Sequence, residues 1–452
     1  MKYYKYIEHT QSLCPICKKK IDGKIIEKEG SVFVWKYCPE HGEFCHILEE
    51  NAAYFHQRRL FEKPGNTFAN QTQRGRGCPF DCGLCPEHEQ HTCIGLIEVT
   101  SKCNLRCPVC FADSGKDDFL PLDRFEQMVD FFVESEGGKC DILQISGGEP
   151  ALHPDILPMI ELARSKNIDY VMLNTNGLRI AEDRDFVEQL SRYKGGFEVY
   201  LQLDGLDDKI HTYFRGKPLA EIKQKALDNL NACHIPVTLV TTLERGVNEH
   251  AVGRIIELGL TTRCIRGINI QPVAYFGRLP EVMPENRLTI TSVIKEIAGQ
   301  CSPIIRESDF IPLPCNPDRV AITYFYRKKD NTFVPLTRDM NVQKYLPFIK
   351  NTFKFDPDDF LKEMATHLSS KNCCNAMGFF KDLTKYIPIS YAFKSEEEKI
   401  NYVTDNTFRI SITSFVDAYN FDIKSAQKEC VHVITPDLKK IPFSMYNLLH
   451  RK

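Results

Sequence analysis

Short apolar runs alternate with helical patterns between residue 94 and about residue 300. The runs predict six strands, at residues 94–100, 141–146, 170–174, 198–203, 237–242 and 265–271. Between them, apolar residues recur at intervals of three and four, as at Phe125, Met128, Val129 and Phe132, which is typical of the buried face of a helix. Six alternating units predict a parallel sheet with right-handed crossovers, in an α/β fold of the partial (β/α)6, TIM-like barrel type. Active-site groups are then expected at the carboxyl ends of the strands.

The flanking segments have different patterns. Residues 1–70 predict a small Cys-rich metal module, with a strand at about residues 31–37. Residues 74–95 are rich in Gly and Cys and predict a cluster-binding segment before a core at residues 96–300. Residues 301–452 mix strands, such as residues 320–326, with charged helices, and predict a C-terminal α+β domain.

Composition excludes several classes of protein. The chain has 452 residues, 58 Lys and Arg against 60 Asp and Glu, a net charge of −2, and 42% apolar residues. This composition argues against a disordered chain and a basic nucleic-acid binder. Since no apolar run approaches about 18 residues and the first residues lack a signal peptide, we expect a cytoplasmic protein without a transmembrane segment, with peripheral membrane association left open. Nineteen cysteines in such a chain indicate metal or redox chemistry rather than disulfides.

The first predicted strand is followed by a CxxxCxxC loop containing Cys103, Cys107 and Cys110. Three thiolates at this spacing can hold three irons of a [4Fe–4S] cluster and leave the fourth iron open for a ligand. The alternative is a structural zinc loop, which is less favoured because zinc sites use paired CxxC knuckles and four ligands.

The second strand ends in Gly147, Gly148 and Glu149, followed by proline. The glycines are expected to let the backbone approach a ligand closely, and the glutamate to accept a hydrogen bond from an ammonium group. Polar residues at later strand ends are candidates for cofactor or substrate contacts, although such residues also serve simply to end strands. The candidates are Asn174 and Asn176, Asp204 with Gly205, and Asn269 with Gln271.

Three further groups of cysteines predict additional metal sites. In the N-terminal module, Cys14, Cys17 and Cys38 predict a mononuclear zinc or iron site, with His41 or Cys45 as fourth ligand. A second CxxxCxxC predicts an auxiliary, fully ligated [4Fe–4S] cluster; its cysteines are Cys78, Cys82, Cys85 and Cys93. The last third of the chain contains candidates for another auxiliary cluster, with scattered thiols as the equally weighted alternative: Cys315, Cys373, Cys374 and Cys430.

The cysteine loop after strand one, together with Gly147–Pro150 after strand two, resembles the radical S-adenosylmethionine (SAM) superfamily. This resemblance implies that SAM chelates the open iron and that reductive cleavage gives methionine and a 5′-deoxyadenosyl radical, which takes hydrogen from a substrate. It also implies a one-electron donor such as a ferredoxin or flavodoxin.

The N-terminal module, the segment from Cys78 to Cys93 and the tail around residues 417–422 are also similar to the tetraether lipid synthase group. That similarity implies a small-molecule or lipid substrate, auxiliary clusters and coupling of unactivated carbons of lipid tails. The alternatives are a radical methylase or modifier of a pterin or peptide, and an iron–sulfur carrier or scaffold. A lipid substrate predicts an apolar tunnel, whereas a pterin or peptide predicts a polar cleft.

Overall fold

The computed structural model describes residues 3–65, 72–112, 114–193, 195–328, 330–338, 342–346, 351–353, 386 and 389–451. Cys373 and Cys374 lie outside these residues. Among the described helices, none is long and apolar enough to cross a membrane.

The N-terminal module is an antiparallel sheet in chain order: β1 (Lys5–Leu13), β2 (Lys20–Lys28), β3 (Ser31–Cys38) and β4 (Gly42–Glu49). Glu29 and Gly30, both with positive φ, form the two-residue turn between β2 and β3 that suits the twist of a hairpin. Helix α1 (Ala52–Gln57) buries Phe55 against one face of the sheet. The two cysteine knuckles occupy the β1–β2 and β3–β4 connections, at one end of this sheet.

The six predicted strands are confirmed, each to within two residues at either end. They lie side by side and parallel, in chain order, as β5 (Ile94–Thr100), β6 (Cys140–Gly147), β7 (Ile168–Thr175), β8 (Phe197–Gln202), β9 (Val237–Leu243) and β10 (Ile265–Pro272).

Helices connect these strands and cover the outer face of the sheet. They are α2 (Leu122–Ser135), α3 (Ile156–Ser165), α4 (Leu178–Glu182), α5 (Arg184–Leu190), α6 (Asp208–Arg215), α7 (Ala220–Ala232) and α8 (Val252–Thr261), with α9 (Ile290–Gln300) after the last strand. The apolar stripe predicted on α2 is buried against the sheet, with Phe125 and Phe132 inaccessible to solvent. Because apolar residues cover the outer face, the inner face is left for a cavity.

The described strands after residue 300 join the same sheet instead of forming one of their own. The elements are β11 (Ile311–Pro312), β12 (Val320–Arg327), β13 (Phe333–Pro335), α10 (Val342–Tyr345), α11 (Glu396–Asn406), β14 (Thr407–Thr413), α12 (Ile423–Gln427), β15 (Val431–Ile434), β16 (Lys440–Pro442) and α13 (Phe443–Met445). Strand β14 is parallel to β10 and β15 is parallel to β5, so each edge of the six-stranded core gains a parallel strand.

The two edges of the extended sheet curve toward each other. Val320 and Ile322 of β12 pack in one buried cluster with Cys430, immediately before β15, and with Ile94 of β5. The barrel is therefore closed by side-chain packing between β12 and the β5–β15 edge, and it encloses a cavity lined by residues from both edges.

Candidate active site

The three thiols of the loop after β5 line a small cavity of about 110 Å³ at the carboxyl ends of the strands. A backbone pair between Cys110 and Arg278, with N–O distances of 3.0 and 2.7 Å, ties this loop to the segment after β10. Cys103, Cys107 and Cys110 are all described, and their sulfur atoms do not converge within 4.8 Å as ligands of one ion would. That wider arrangement fits a polynuclear cluster, in which each thiolate binds a different iron.

The two glycines after β6 hold the cysteine loop in place. A Cβ at Gly147, where φ is +131°, would lie 2.2 Å from the Thr100 carbonyl oxygen, and one at Gly148 would lie 2.4 Å from that of Lys102. Gly148 N and Glu149 N donate to these same two carbonyls, at 2.7 and 2.8 Å. From the sequence, these glycines are expected to let the backbone approach a ligand, and the close approach that the structure shows is to the cysteine loop.

Glu149 is buried and accepts three hydrogen bonds. Oε1 accepts from Ala151 N at 3.0 Å and from Thr175 Oγ1 at 2.7 Å, and Oε2 accepts from Asn176 N at 2.7 Å. Burial raises the pKa of Glu149, which these bonds oppose. A carboxylate offers about four lone-pair positions, so one position on Oε2 is left for the predicted ammonium contact.

Arg215, at the end of α6, is a site residue that the sequence analysis missed. Its guanidinium makes a bidentate pair with Asp204, at 2.6 and 2.8 Å, and lines the cavity of the cysteine loop. Burial alone would raise the pKa of Asp204, but Arg215 outweighs it and lowers that pKa. Asp204 therefore acts by orienting Arg215, because its own carboxylate is enclosed by that pair and by Thr242 N.

The positive charge of the Arg215 guanidinium also acts on the Cys107 thiol, which lines the same cavity. Burial raises the pKa of Cys107, and Arg215 opposes this shift. Burial raises the pKa of Cys103 to about 11. Iron binds thiolates, so loading the loop must release protons, and the positive charge of Arg215 favours that release.

A second cavity, of about 360 Å³, fills the inside of the barrel and adjoins the first. Ser146, Asn174, Gln202 and Gln271 line both. Asn174 links neighbouring strands by donating to Ser146 Oγ and accepting from Gln202 Nε2, each at 2.9 Å. The predicted candidates Asn174, Asn176 and Gln271 thus lie at the cysteine loop cavity.

Asn269 lies deeper, within the barrel cavity. Its Oδ1 accepts from Ser411 Oγ at 3.1 Å and from Thr413 Oγ1 at 3.0 Å, and its Nδ2 donates to the Tyr200 hydroxyl. The structure therefore places Asn269 on the barrel interior and not at the cysteine loop. The barrel cavity has two different walls. Side chains of β6 to β10 and β14 make one wall hydrogen-bonding, whereas Ile94, Leu96 and Val431 make the opposite wall apolar.

The N-terminal module contains a compact group of candidate metal ligands. Cys14, Cys17, Cys38 and His41 offer ligand atoms that all lie within 4.8 Å of one another. His41 Nδ1 is 3.6 Å from Cys14 Sγ and 3.5 Å from Cys38 Sγ. Tetrahedral ligands at zinc–sulfur distances of about 2.3 Å are spaced similarly, so the group fits a Cys3His zinc site. Cys45 is exposed on β4 and lies outside the group, which favours His41 as the fourth ligand.

The remaining described cysteines divide differently from the predicted sets. Cys93 groups with Cys315 and Cys430, all buried and within 4.8 Å of one another, with Cys315 and Cys430 sulfurs 3.5 Å apart. The sequence predicts Cys93 as fourth ligand beside Cys78, Cys82 and Cys85, whereas the structure places it in the group with Cys315 and Cys430. The reason is tertiary: Cys93, Cys315 and Cys430 precede β5, β12 and β15, and these strands begin where the two sheet edges meet.

Cys78, Cys82 and Cys85 stay on their own loop, and among the described residues they belong to no group of three ligands within 4.8 Å. Burial raises the pKa of all three thiols. The loop is organised by Asp81, whose carboxylate accepts from Gly75 N and Gly77 N. Like Cys103, Cys107 and Cys110, these three cysteines are not gathered as ligands of a single ion would be, which leaves them available as cluster ligands.

Two family models match the chain. The model described as "Radical SAM superfamily" matches residues 97–259, and the one described as "HMPTM N-terminal zinc ribbon domain" matches residues 6–50. The first contains the cysteine loop and the Gly-Gly-Glu turn. The second contains the Cys3His group.

Comparisons with individual proteins extend the match. The chain is 34% identical to 7,8-dihydro-6-hydroxymethylpterin dimethyltransferase of Methanocaldococcus jannaschii, over 98% of this chain and 94% of the relative. It is 33% identical to GTP 3′,8-cyclase of Chlorobaculum tepidum, over 36% of this chain and 48% of that protein. Among solved structures, Streptococcus suis SuiB bound to the precursor peptide SuiA aligns with a TM-score of 0.36 and 18% identity, over 41% of this chain and 40% of SuiB.

Proposed function

The chain belongs to the radical SAM superfamily, and from this we propose that it is a radical SAM methyltransferase whose substrate is a pterin. The observation that carries the proposal is the cavity inside the barrel, which has one hydrogen-bonding wall and one apolar wall and adjoins the cavity of the cysteine loop. Lipid tail coupling, the leading prediction from the sequence, calls for an apolar tunnel instead. The full-length similarity to a pterin dimethyltransferase favours the same alternative.

Cys103, Cys107 and Cys110 are the residues that would hold a SAM-binding [4Fe–4S] cluster. That cluster, when bound and reduced, supplies an electron that splits SAM into methionine and a 5′-deoxyadenosyl radical, which removes hydrogen from a substrate carbon. Around it, Gly147 and Gly148 fix the loop, Glu149 offers one lone-pair position to an ammonium group, and Arg215 offers positive charge to a carboxylate or to the Cys107 thiolate.

The proposed reaction balances with SAM as the methyl donor. For each methyl group, one substrate C–H, two SAM and two electrons give the methylated carbon, 5′-deoxyadenosine, methionine and S-adenosylhomocysteine. The electrons come from a one-electron donor of the ferredoxin or flavodoxin type. Asn174 and Gln202, which line both cavities, are placed to position the reacting end of the substrate beside SAM.

We assign an auxiliary cluster to Cys78, Cys82 and Cys85 and a single metal ion to Cys93, Cys315 and Cys430. This division is supported by the ligand atoms of the second set, which all lie within 4.8 Å of one another, whereas the first set forms no such group among the described residues. The zinc ribbon is assigned one further ion, held by Cys14, Cys17, Cys38 and His41.

The test is anaerobic turnover of the reconstituted protein with methyl-labelled SAM, a reductant and 7,8-dihydro-6-hydroxymethylpterin, followed by mass spectrometry. The wild type should release 5′-deoxyadenosine and a pterin carrying labelled methyl groups. Replacing Cys103, Cys107 and Cys110 together with Ala should abolish both products, and Cys233→Ala, a half-buried cysteine outside every metal group, should abolish neither.

The outcomes separate the parts of the proposal. SAM cleavage by the triple variant would overturn the cluster assignment. If the wild type released 5′-deoxyadenosine but no methylated pterin, the assignment of the pterin as substrate would be overturned. If the pterin gained an unlabelled methyl group, SAM would be excluded as the methyl donor.

A further inference from the structure

A buried ion pair lies at the base of the barrel cavity, far from the cysteine loop. Glu198 on β8 and Arg409 on β14 face each other there, with Glu198 Oε1 2.9 Å from Arg409 Nη2. Thr238 on β9 lies between them, donating to Glu198 Oε1 at 3.0 Å and accepting from Arg409 Nη2 at 2.9 Å. Glu198 is 2% exposed and Arg409 is half-buried, so the pair is enclosed in the cavity wall.

The fold makes space for this pair by omitting a side chain. Arg409 is paired across the strands with Gly267 of β10, and a Cβ at Gly267 would lie 2.5 Å from Arg409 Cγ. The Arg409 side chain therefore crosses β10 over Gly267 to reach Thr238 and Glu198, two and three strands away. In packed barrels this layer is filled with branched apolar residues, whereas here it presents charged groups to an open cavity.

The pair keeps unused hydrogen-bonding capacity toward the cavity. Among the described residues, none donates a hydrogen bond to Glu198 Oε2, and none accepts one from Arg409 Nε or Nη1. A carboxylate oxygen beside a guanidinium offers one hydrogen-bond acceptor next to a fork of donors. A ligand that matches this arrangement has a flat ring edge with N–H donors next to a carbonyl oxygen.

We propose that Glu198 and Arg409 bind the 2-amino-4-oxopyrimidine edge of the substrate, with Glu198 Oε2 accepting from its N–H groups and Arg409 donating to its carbonyl. This inference rests on the proposed pterin substrate and adds the residues that select it. Met172 lies beside Glu198 on the neighbouring strand β7, and Tyr200 lies two residues farther along β8; both line the cavity and offer apolar and aromatic surface to the ring faces.

The same contact orients the substrate for reaction. Glu198 and Gln202 are four residues apart on β8, a rise of about 13 Å at the usual 3.3 Å per residue. Gln202 lines both cavities, so a bicyclic ring anchored at Glu198 points its opposite end toward the cysteine loop. In 6-hydroxymethylpterin, that opposite end carries the hydroxymethyl group.

Guanine carries the same amino-pyrimidinone edge as a pterin, so the test includes both ring systems. Binding is measured by anaerobic titration calorimetry on the reconstituted holoenzyme with SAM. The three probes are 7,8-dihydro-6-hydroxymethylpterin, the lumazine in which its 2-amino group is replaced by oxygen, and guanosine. The variants are Glu198→Gln and, as a matched control for loss of one carboxylate, Glu257→Gln on the exposed face of α8.

The wild type should bind the pterin about 10- to 150-fold more tightly than the lumazine, as expected for one hydrogen bond to a charged group. Glu198→Gln should remove most of that preference, and Glu257→Gln should keep it. The comparison of ligands on the wild type alone tests the contact if Glu198→Gln fails to fold.

Four results would overturn the inference, or the proposed function on which it rests, in distinguishable ways. Equal binding of pterin and lumazine by the wild type would refute the edge contact, even if methylated pterin forms. A folded Glu198→Gln protein with undiminished preference would reduce the pair to a structural bridge between β8 and β14. If guanosine bound more tightly than the pterin, the assignment of a pterin as the substrate would be overturned. If the protein neither bound nor methylated the pterin, the proposed function itself would be overturned.

Discussion

Glu149→Gln tests how the turn after β6 serves the cysteine loop. The native carboxylate accepts from two backbone N–H groups on opposite sides, Ala151 N at its Oε1 and Asn176 N at its Oε2, and from the Thr175 hydroxyl. A glutamine has a single oxygen. Whichever way its amide is turned, its NH2 group faces one of those backbone donors, and that donor loses its acceptor.

The magnitude follows from this geometry. A buried donor left unsatisfied costs about 1–3 kcal/mol, so the free energy of unfolding should fall by that amount. If the free position on Oε2 also holds the ammonium group of SAM, loss of that charge-assisted bond should weaken SAM binding about 10- to 150-fold.

The two effects are measured separately, by denaturant unfolding of the protein and by SAM titration of the reconstituted enzyme. Glu161→Gln, on the exposed face of α3, is the matched control and should change neither. Loss of stability with nearly normal SAM binding would make Glu149 a positioning residue for the β6–β7 turns. Unchanged stability together with unchanged SAM affinity would refute the argument from its hydrogen bonds.

Two metal sites and the contact between the N-terminal module and the barrel give three further predictions. Cys38→Ser should lose the zinc of the N-terminal module while Cys45→Ser keeps it, as measured by metal analysis; equal loss from both would contradict His41 as the fourth ligand. Cys315→Ser should remove one metal ion per chain and not a four-iron cluster, and a loss of about four irons would show that the tight sulfur group is misassigned. Lys36 is buried, and its ammonium group donates to two backbone carbonyls of the loop after β14, at 2.6 and 3.1 Å. Lys36→Met should therefore lower the free energy of unfolding by at least about 1–3 kcal/mol, and an unchanged unfolding curve would show that this contact does not hold the zinc ribbon on the barrel.

The local patterns of the sequence determined most of the barrel. Apolar runs and three–four periodicity are properties of neighbouring residues, so they located β5 to β10 and the stripe of α2. The cysteine loop and the Gly-Gly-Glu turn were equally visible, because each lies within a few residues at the end of one strand. The first knuckle and Cys38 also indicated a mononuclear site, although spacing left His41 and Cys45 as equal candidates.

Tertiary structure decided the features that depend on contacts between residues distant in the chain. Strands β14 and β15 join opposite edges of the core, and nothing in their short apolar sequences indicates which strand each one pairs with. Cys93 groups with Cys315 and Cys430 only because three strand starts meet where the barrel closes. Arg215 had no motif to reveal it, and its position depends on Asp204 eleven residues earlier.

The substrate cavity was likewise a tertiary result. Its one local signal was a charged residue at an inward position of an apolar strand, as at Glu198 and Arg409. Such a residue costs free energy unless it is paired, and its partner lies 211 positions away in the chain. Because burial and pairing are properties of the folded sheet, the sequence determined the type of chemistry, and the closed barrel decided the polarity of the space in which that chemistry acts.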